Sequence, residues 1–102
     1  MARGLEYLAA ALGEAEAAAR WYAERSVAAA SQFSEELDAA EAAIVANPEA
    51  WPPFDHGTRR YLLRHFPFSV VYRLEPEGVL IVAVMHFRRR PAYWRRRTSS
   101  PG

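Results

Sequence analysis

The chain has 102 residues, enough for one domain with one hydrophobic core, and its lack of cysteine excludes disulfides, thiol catalysis and cysteine-ligated zinc. All thirteen basic residues are arginine, and they nearly balance twelve carboxylates to give a net charge of +1. Residues 1–57 hold three arginines against ten carboxylates, a net charge of −7, whereas residues 58–102 hold ten arginines against two carboxylates, a net charge of +8. This asymmetry predicts a basic surface in the C-terminal half that binds nucleic acid or an acidic partner.

The N-terminal half reads as a strand followed by two helices. Residues 5–8 are interpreted as a first strand, and an alanine-rich run from about Leu12 to Arg25 predicts a helix. Ser26 is the expected N-cap of a second helix that runs to about Ala46. The apolar stripe of this helix consists of Ala30, Leu37 and Ile44, which recur every seven residues, with Phe33 and Ala40 beside them. Asn47-Pro48 should end it, because the residue before a proline is pushed out of the helical region.

The C-terminal half reads as a connector and three strands. Residues 47–58 contain three prolines and a glycine and should form an ordered connector pinned by Trp51 and Phe54. Strands are predicted over 59–64, 68–73 and 79–85, with a hairpin loop over 74–78. Residues 79–85 show no polar alternation, so we expect a central strand covered on both faces, with the helices on one of them.

The sequence gives little support for a metal or cofactor site. His56, His65 and His86 have no metal-ligand spacing, no serine lies in a nucleophile elbow, and the glycines form no phosphate-binding loop. We therefore expect neither a metal nor a cofactor. No apolar stretch has the length of a membrane helix and no signal-peptide pattern is present, so we expect a cytoplasmic protein, with one domain over residues 1–102 and a flexible tail from about residue 98.

The arginine-rich end carries the candidate site. If the chain cleaves RNA, the candidate catalytic residues are His86, Arg88 and Tyr93, because arginines can neutralise charge on the phosphate while histidine or tyrosine transfers protons. If the end is a binding surface, the residues expected to contact a target or nucleic acid are Arg59, Arg60, Arg64, Arg88, Arg89, Arg90, Tyr93, Trp94 and Arg95. A structural alternative has His86 at a strand end and Tyr93 and Trp94 packing a C-terminal tail.

Several segments resemble the RelE/ParE superfamily of toxins from bacterial type II toxin-antitoxin systems, often described as plasmid stabilisation proteins. They are AAARWYAERS, QFSEELDAAEAAIVANPEAWP, RRYLLRHFPFSVVYRL and IVAVMHFRRRPAYWRRR. The resemblance implies an α+β fold with an N-terminal strand, an antiparallel helix pair and a three-stranded antiparallel meander, the helices packing on one face of the sheet. It also implies a growth-inhibiting toxin in a hetero-oligomer with a cognate antitoxin that wraps around it.

The branches of this superfamily differ in their target. RelE-like members cut mRNA on the ribosome with basic residues and a C-terminal tyrosine, whereas ParE-like members inhibit DNA gyrase. Tyr93 lies near the RelE tyrosine and Arg88 near its late arginine, but Ser69 stands where the RelE branch has a phosphate-contacting arginine. The lysines of that branch are also missing, so the resemblance favours a ParE-like toxin that is not an enzyme. The alternatives are a ribosome-dependent endoribonuclease and a non-toxic binding module that has kept the fold.

Overall fold

The computed structural model describes residues 4–98 and has the expected α+β architecture. Its strands are β1 (Gly4–Tyr7), β2 (Arg59–Leu62), β3 (Phe68–Glu75) and β4 (Gly78–His86), and its helices are α1 (Ala9–Ala23) and α2 (Val27–Ala46). Short 3-10 turns cover Asp55–Gly57 and Arg95–Thr98. The predicted flexible tail begins near residue 98, and residues 99–102 lie outside the part of the chain that the structure describes.

The four strands form one mixed sheet in the order β1-β4-β3-β2. Strand β1 runs parallel to β4, while β2, β3 and β4 form the antiparallel meander that the sequence predicts. A Cβ atom at Gly78 would lie 2.3 Å from the Gly4 carbonyl oxygen. The close approach of β1 to β4 therefore requires glycine at the start of β4.

The helix boundaries largely follow the local sequence signals. The side-chain oxygen of Ser26 accepts a hydrogen bond of 3.1 Å from the Ala29 backbone N–H, which confirms it as the N-cap of α2. Helix α2 ends at Ala46, before Asn47-Pro48. Helix α1 begins at Ala9 rather than near Leu12, since the alanines before Leu12 are themselves strong helix formers.

Two hydrophobic cores cover the two faces of β4, as its unbroken apolar sequence predicts. The helix-side core joins both helices to the sheet and buries Phe33, Leu37, Ala40 and Ile44 of the predicted stripe. The second core, on the other face, contains Val71, Val82, Ala83, Met85 and Trp94. In this core the C-terminal segment, rather than a helix, covers the sheet.

A β-bulge in β4 sets which residues face each core. Val71 pairs with Ala83 and Tyr72 pairs with Ile81, so that Val82 is an extra residue in the ladder. Val82 and Ala83 therefore both face the second core, and Ile81 and Val84 both face the helices. The loop between β3 and β4 is shorter than predicted, because β3 continues to Glu75. Within residues 4–98, no helix is both long and apolar enough to span a bilayer.

Candidate functional site

The arginine segment, residues 88–97, begins in a tight turn at the end of β4. The Arg89 backbone N–H donates to the His86 carbonyl oxygen at 3.0 Å, and the Arg88 backbone N–H donates to His86 Nδ1 at 3.0 Å. The His86 ring also lies edge-on against Phe68, with ring centroids 5.0 Å apart. His86 thus has a structural position at the strand end, with one ring nitrogen already accepting a hydrogen bond.

Trp94 is a core residue and not part of an exposed surface. Its side chain is 0% exposed and packs in the second core, where its ring lies 5.8 Å from that of Phe54. Trp94 therefore offers no exposed surface for the predicted contact with a target, and its packing agrees with the structural alternative for this residue. Burial of the large indole ring removes much apolar surface from water. Trp94 therefore packs against the sheet instead of lying among the exposed arginines.

Tyr93 is also held in place. Its hydroxyl donates a hydrogen bond of 2.6 Å to the Glu14 carboxylate on α1. Burial, together with the hydrogen bond to Glu14 and the negative charge of Glu14, raises the pKa of Tyr93 well above its usual value of 10.0. The raised pKa makes the Tyr93 hydroxyl a weaker acid than an ordinary tyrosine, and its proton is already donated to Glu14.

Glu14 contacts the arginine segment and was missed by sequence reasoning, because the helix carboxylates were interpreted as a solvated face. Its side chain is 17% exposed and accepts four hydrogen bonds. Besides Tyr93, the donors are the Arg97 guanidinium, at 3.0 and 3.1 Å, and the Val84 backbone N–H, at 3.0 Å. A signal was present in the sequence: Glu14 lies three and four residues from Ala11 and Ala18, which are on the buried face of α1.

The other arginines of the segment remain exposed. Arg88, Arg89 and Arg90 follow one another in the turn, and Arg95 is exposed beyond it. Among the three turn arginines, Arg89 has a defined place: its guanidinium lies 3.7 Å from the centroid of the Tyr93 ring. The structure thus brings together His86, Arg89 and Tyr93, at the end of β4 nearest to α1.

The two arginines of β2 and Arg64, just after its end, have other surroundings. Arg59 donates from Nη1 to the carbonyl oxygens of Trp51, at 2.6 Å, and Glu49, at 3.3 Å, which ties the connector to β2. Arg60 lies over the Phe54 ring at 4.3 Å. Arg64 lines a separate depression beside acidic residues of α2. Whether these three arginines contact a target stays a prediction.

An apolar groove of about 570 Å³ opens between α1 and the end of β4. Its floor and walls are mainly apolar, and the residues that line it are Glu14, Ala17, Ala18, Trp21, Tyr22, Pro67, Phe68, Val84, His86 and Arg89. Trp21 is 51% exposed, with the Arg25 guanidinium stacked 3.7 Å from its ring centroid. The groove therefore offers an aromatic surface with a cation, Arg89, at its edge.

Two further observations bear on catalysis. Ser69, at the position where the RelE branch has an arginine, is 0% exposed, and its hydroxyl has no hydrogen-bond partner among residues 4–98. It faces the second core beside Val71 and could not contact a phosphate there. Among residues 4–98, no group of three or more histidine and carboxylate side chains is placed to hold a metal ion.

Comparison with known proteins gives a consistent result. The family model described as "ParE toxin of type II toxin-antitoxin system, parDE" matches residues 5–91. Among solved structures, the chain is similar to one titled "Chromosomal ParDE TA system from P. aeruginosa", with 20% identity, coverage of 82% of this chain and 95% of that chain, and a TM-score of 0.71. That likeness shows a shared fold, and a search of the curated proteins found no match. Because the family match spans most of the sequence, the chain belongs to the ParE toxin family of type II toxin-antitoxin systems.

Proposed function

We propose that this protein inhibits growth by binding DNA gyrase through its arginine segment, without catalysing a reaction, and that a cognate antitoxin neutralises it. Membership of the ParE toxin family supports the gyrase target, since ParE-like members of the superfamily are the gyrase inhibitors. Exposed arginines on a half-molecule of charge +8 suit an acidic protein surface.

One observation carries the preference for binding over RNA cleavage. The Tyr93 hydroxyl, the best candidate for a general acid, donates to Glu14 at 2.6 Å, and the Tyr93 ring lies beneath the Arg89 guanidinium. A general acid must reach the atom that it protonates, and this one is directed at a carboxylate of its own chain. The buried Ser69 supports the same view, because a phosphate-binding cation is absent from its position.

Induction of the chain in growing cells tests the target. We expect growth arrest with altered plasmid supercoiling, intact ribosome-bound mRNA, and direct binding of the purified protein to gyrase. Replacement of Arg88, Arg89 and Arg90 together by alanine should abolish the arrest and weaken binding in a salt-dependent way. Arg20→Ala, at an exposed arginine on α1, is the matched control and should remain toxic.

Tyr93→Phe separates the binding function from the nuclease function. A binding toxin should remain toxic, because the phenylalanine ring fills the same space under Arg89 and the ion pair between Glu14 and Arg97 still holds the arginine segment. A nuclease should instead lose cleavage by about 10²-fold or more, the usual scale for a lost proton-transfer group. Cleaved mRNA in cells that express the wild type, together with a folded but inactive Tyr93→Phe variant, would overturn the proposal.

The groove beside Arg89 is the expected site of the antitoxin. Its apolar floor and edge cation fit an amphipathic segment that carries apolar side chains and carboxylates. Co-expression with the protein of the neighbouring gene should yield a tight complex, and Trp21→Ala should weaken it while Leu12→Ala, at an exposed α1 residue absent from the groove lining, should not. A chain that stays monomeric and unbound in this co-expression would contradict the antitoxin proposal.

A further inference from the structure

Glu14 and Arg97 bind the edge of β4 beyond the end of β1, where no strand is paired with it in the described sheet. Strand β1 ends at Tyr7, opposite Ile81, so the second half of β4 has no neighbouring strand on that side of the described sheet. There Arg97 Nη1 donates to the Val82 carbonyl oxygen at 3.1 Å, and Glu14 accepts from the Val84 backbone N–H at 3.0 Å. The ion pair between these side chains therefore satisfies the backbone groups that a longer β1 would have paired.

The same ion pair, between Glu14 and Arg97, fastens the arginine segment at its far end. The turn that holds Arg88 and Arg89 is anchored on one side by the end of β4, where the Phe87 backbone N–H donates to the Pro67 carbonyl oxygen at 2.9 Å. On the other side Glu14 holds both Tyr93 and Arg97. Arg89 rests on the ring of Tyr93, so a chain of contacts runs from Glu14 to Tyr93 and on to Arg89.

We propose that Glu14 is a positioning residue for target recognition. Through Tyr93 and Arg97 it fixes the arginine segment, and so holds the Arg89 guanidinium in the orientation that binds the target. This inference rests on the proposed function and adds to the binding surface an acidic residue, Glu14, which lies on α1 and not in the arginine segment. Tyr93 and Arg97 lie beyond the residues 5–91 that match the family model, so the family match does not contain this contact. Preorganisation of this kind strengthens binding because less side-chain entropy is lost when the complex forms.

A double-mutant cycle on gyrase binding tests the proposal. Arg89→Ala and Glu14→Ala should each raise the Kd by about tenfold, a scale typical of a central arginine contact. The double variant should bind about as weakly as Arg89→Ala alone, because without Arg89 there is nothing left to position. Arg88→Ala is the matched control, since no contact joins it to Tyr93, and its effect should multiply with that of Glu14→Ala.

Two further variants separate positioning from a general loss of stability. Leu37→Ala weakens the helix-side core without touching the arginine segment, and it should leave the Kd unchanged at a temperature where all variants are folded. Glu14→Gln keeps the size of the side chain and removes its charge, so it should stay folded if the alanine variant does not and should still raise the Kd. Multiplicative effects of Glu14 and Arg89, or an equal loss of affinity in Leu37→Ala, would overturn the positioning role.

Hydrogen exchange of the free protein decides the same question without a partner. In Glu14→Gln the hydrogen-bonded backbone amides of Arg88, Arg89 and Tyr93 should exchange faster, while those of α2 should be unchanged. Unchanged exchange in the arginine segment would refute the inference even if gyrase binds. A wild-type chain that does not bind gyrase would refute the proposed target instead, and the exchange result would still decide whether Glu14 fastens the segment.

Discussion

Two glutamates, one on each helix, fasten the helices to the sheet side of the molecule, and they do so with different partners. Glu14 of α1 pairs with Arg97, whose side chain is only 23% exposed, and reaches the middle of β4. Glu36 of α2 accepts the backbone N–H groups of Arg64 and His65 and pairs with the His65 ring, which is 77% exposed. Because the Arg97 cation is partly buried and the His65 ring is exposed, the Glu14 contact should be costlier to break than the Glu36 contact.

The largest effect is expected at Glu14. Glu14→Ala should lower the free energy of unfolding by about 3 kcal/mol, because the partly buried Arg97 guanidinium loses its carboxylate and keeps only the Val82 carbonyl oxygen, and the Val84 N–H loses its acceptor. Denaturant unfolding at neutral pH measures this directly. A loss no greater than that of Glu36→Ala would show that burial of the partner cation does not separate the two contacts.

Tyr93→Phe should cost about 1.5 kcal/mol at neutral pH, since it removes one hydrogen bond to a charged acceptor and keeps the ring. The folded protein holds the pKa of Tyr93 above the usual 10.0, so this stabilisation is complete below pH 10 and is lost as the pH rises above it. The difference between wild type and variant should therefore shrink in alkaline solution. Tyr72, whose burial raises its pKa to about 12, is present in both proteins and cancels from the comparison.

Glu36→Gln should cost about 1 kcal/mol at neutral pH. Burial alone would raise the pKa of Glu36, but the hydrogen bonds from His65 and from the Arg64 backbone outweigh burial and lower it from the usual 4.5. A lowered pKa in the folded state means that the stabilisation is present above pH 4.5 and is lost as the pH falls through the lower value. Acid titration of unfolding should show this loss in the wild type and not in Glu36→Gln, and parallel curves would contradict it.

The smallest effect is a gain. Gly13 lies within α1, and a Cβ atom there would meet nothing within 4 Å, so Gly13→Ala should stabilise the protein by about 0.5–1 kcal/mol through helix propensity alone. Added to Glu14→Ala, it should recover only this amount. Full recovery would mean that Glu14 stabilises α1 itself rather than its contacts with Tyr93, Val84 and Arg97.

The predictions made from sequence succeeded where short-range patterns decide the structure. The N-cap at Ser26, the buried stripe through Phe33, Leu37 and Ile44, and the doubly covered strand β4 all follow from residues a few positions apart. The boundaries were less accurate, at the start of α1 and at the hairpin between β3 and β4. Both differences have local causes, because alanine extends a helix and a tight turn needs fewer residues than the predicted loop.

What only the tertiary structure decided is which residues of the basic end are free to act. Composition and order along the chain determined that residues 58–97 form a basic, strand-rich region with exposed arginines near its end. They did not show that Trp94 would enter a core, that Arg59 would be used by the connector, or that Glu14, 79 residues before Tyr93, would hold it. The Glu14 contact depends on the bulge in β4 and on the early end of β1, which leave backbone groups of Val82 and Val84 for distant side chains to satisfy. The charge pattern of a sequence therefore gives the sign of a surface, while the fold decides which of its charges face a partner.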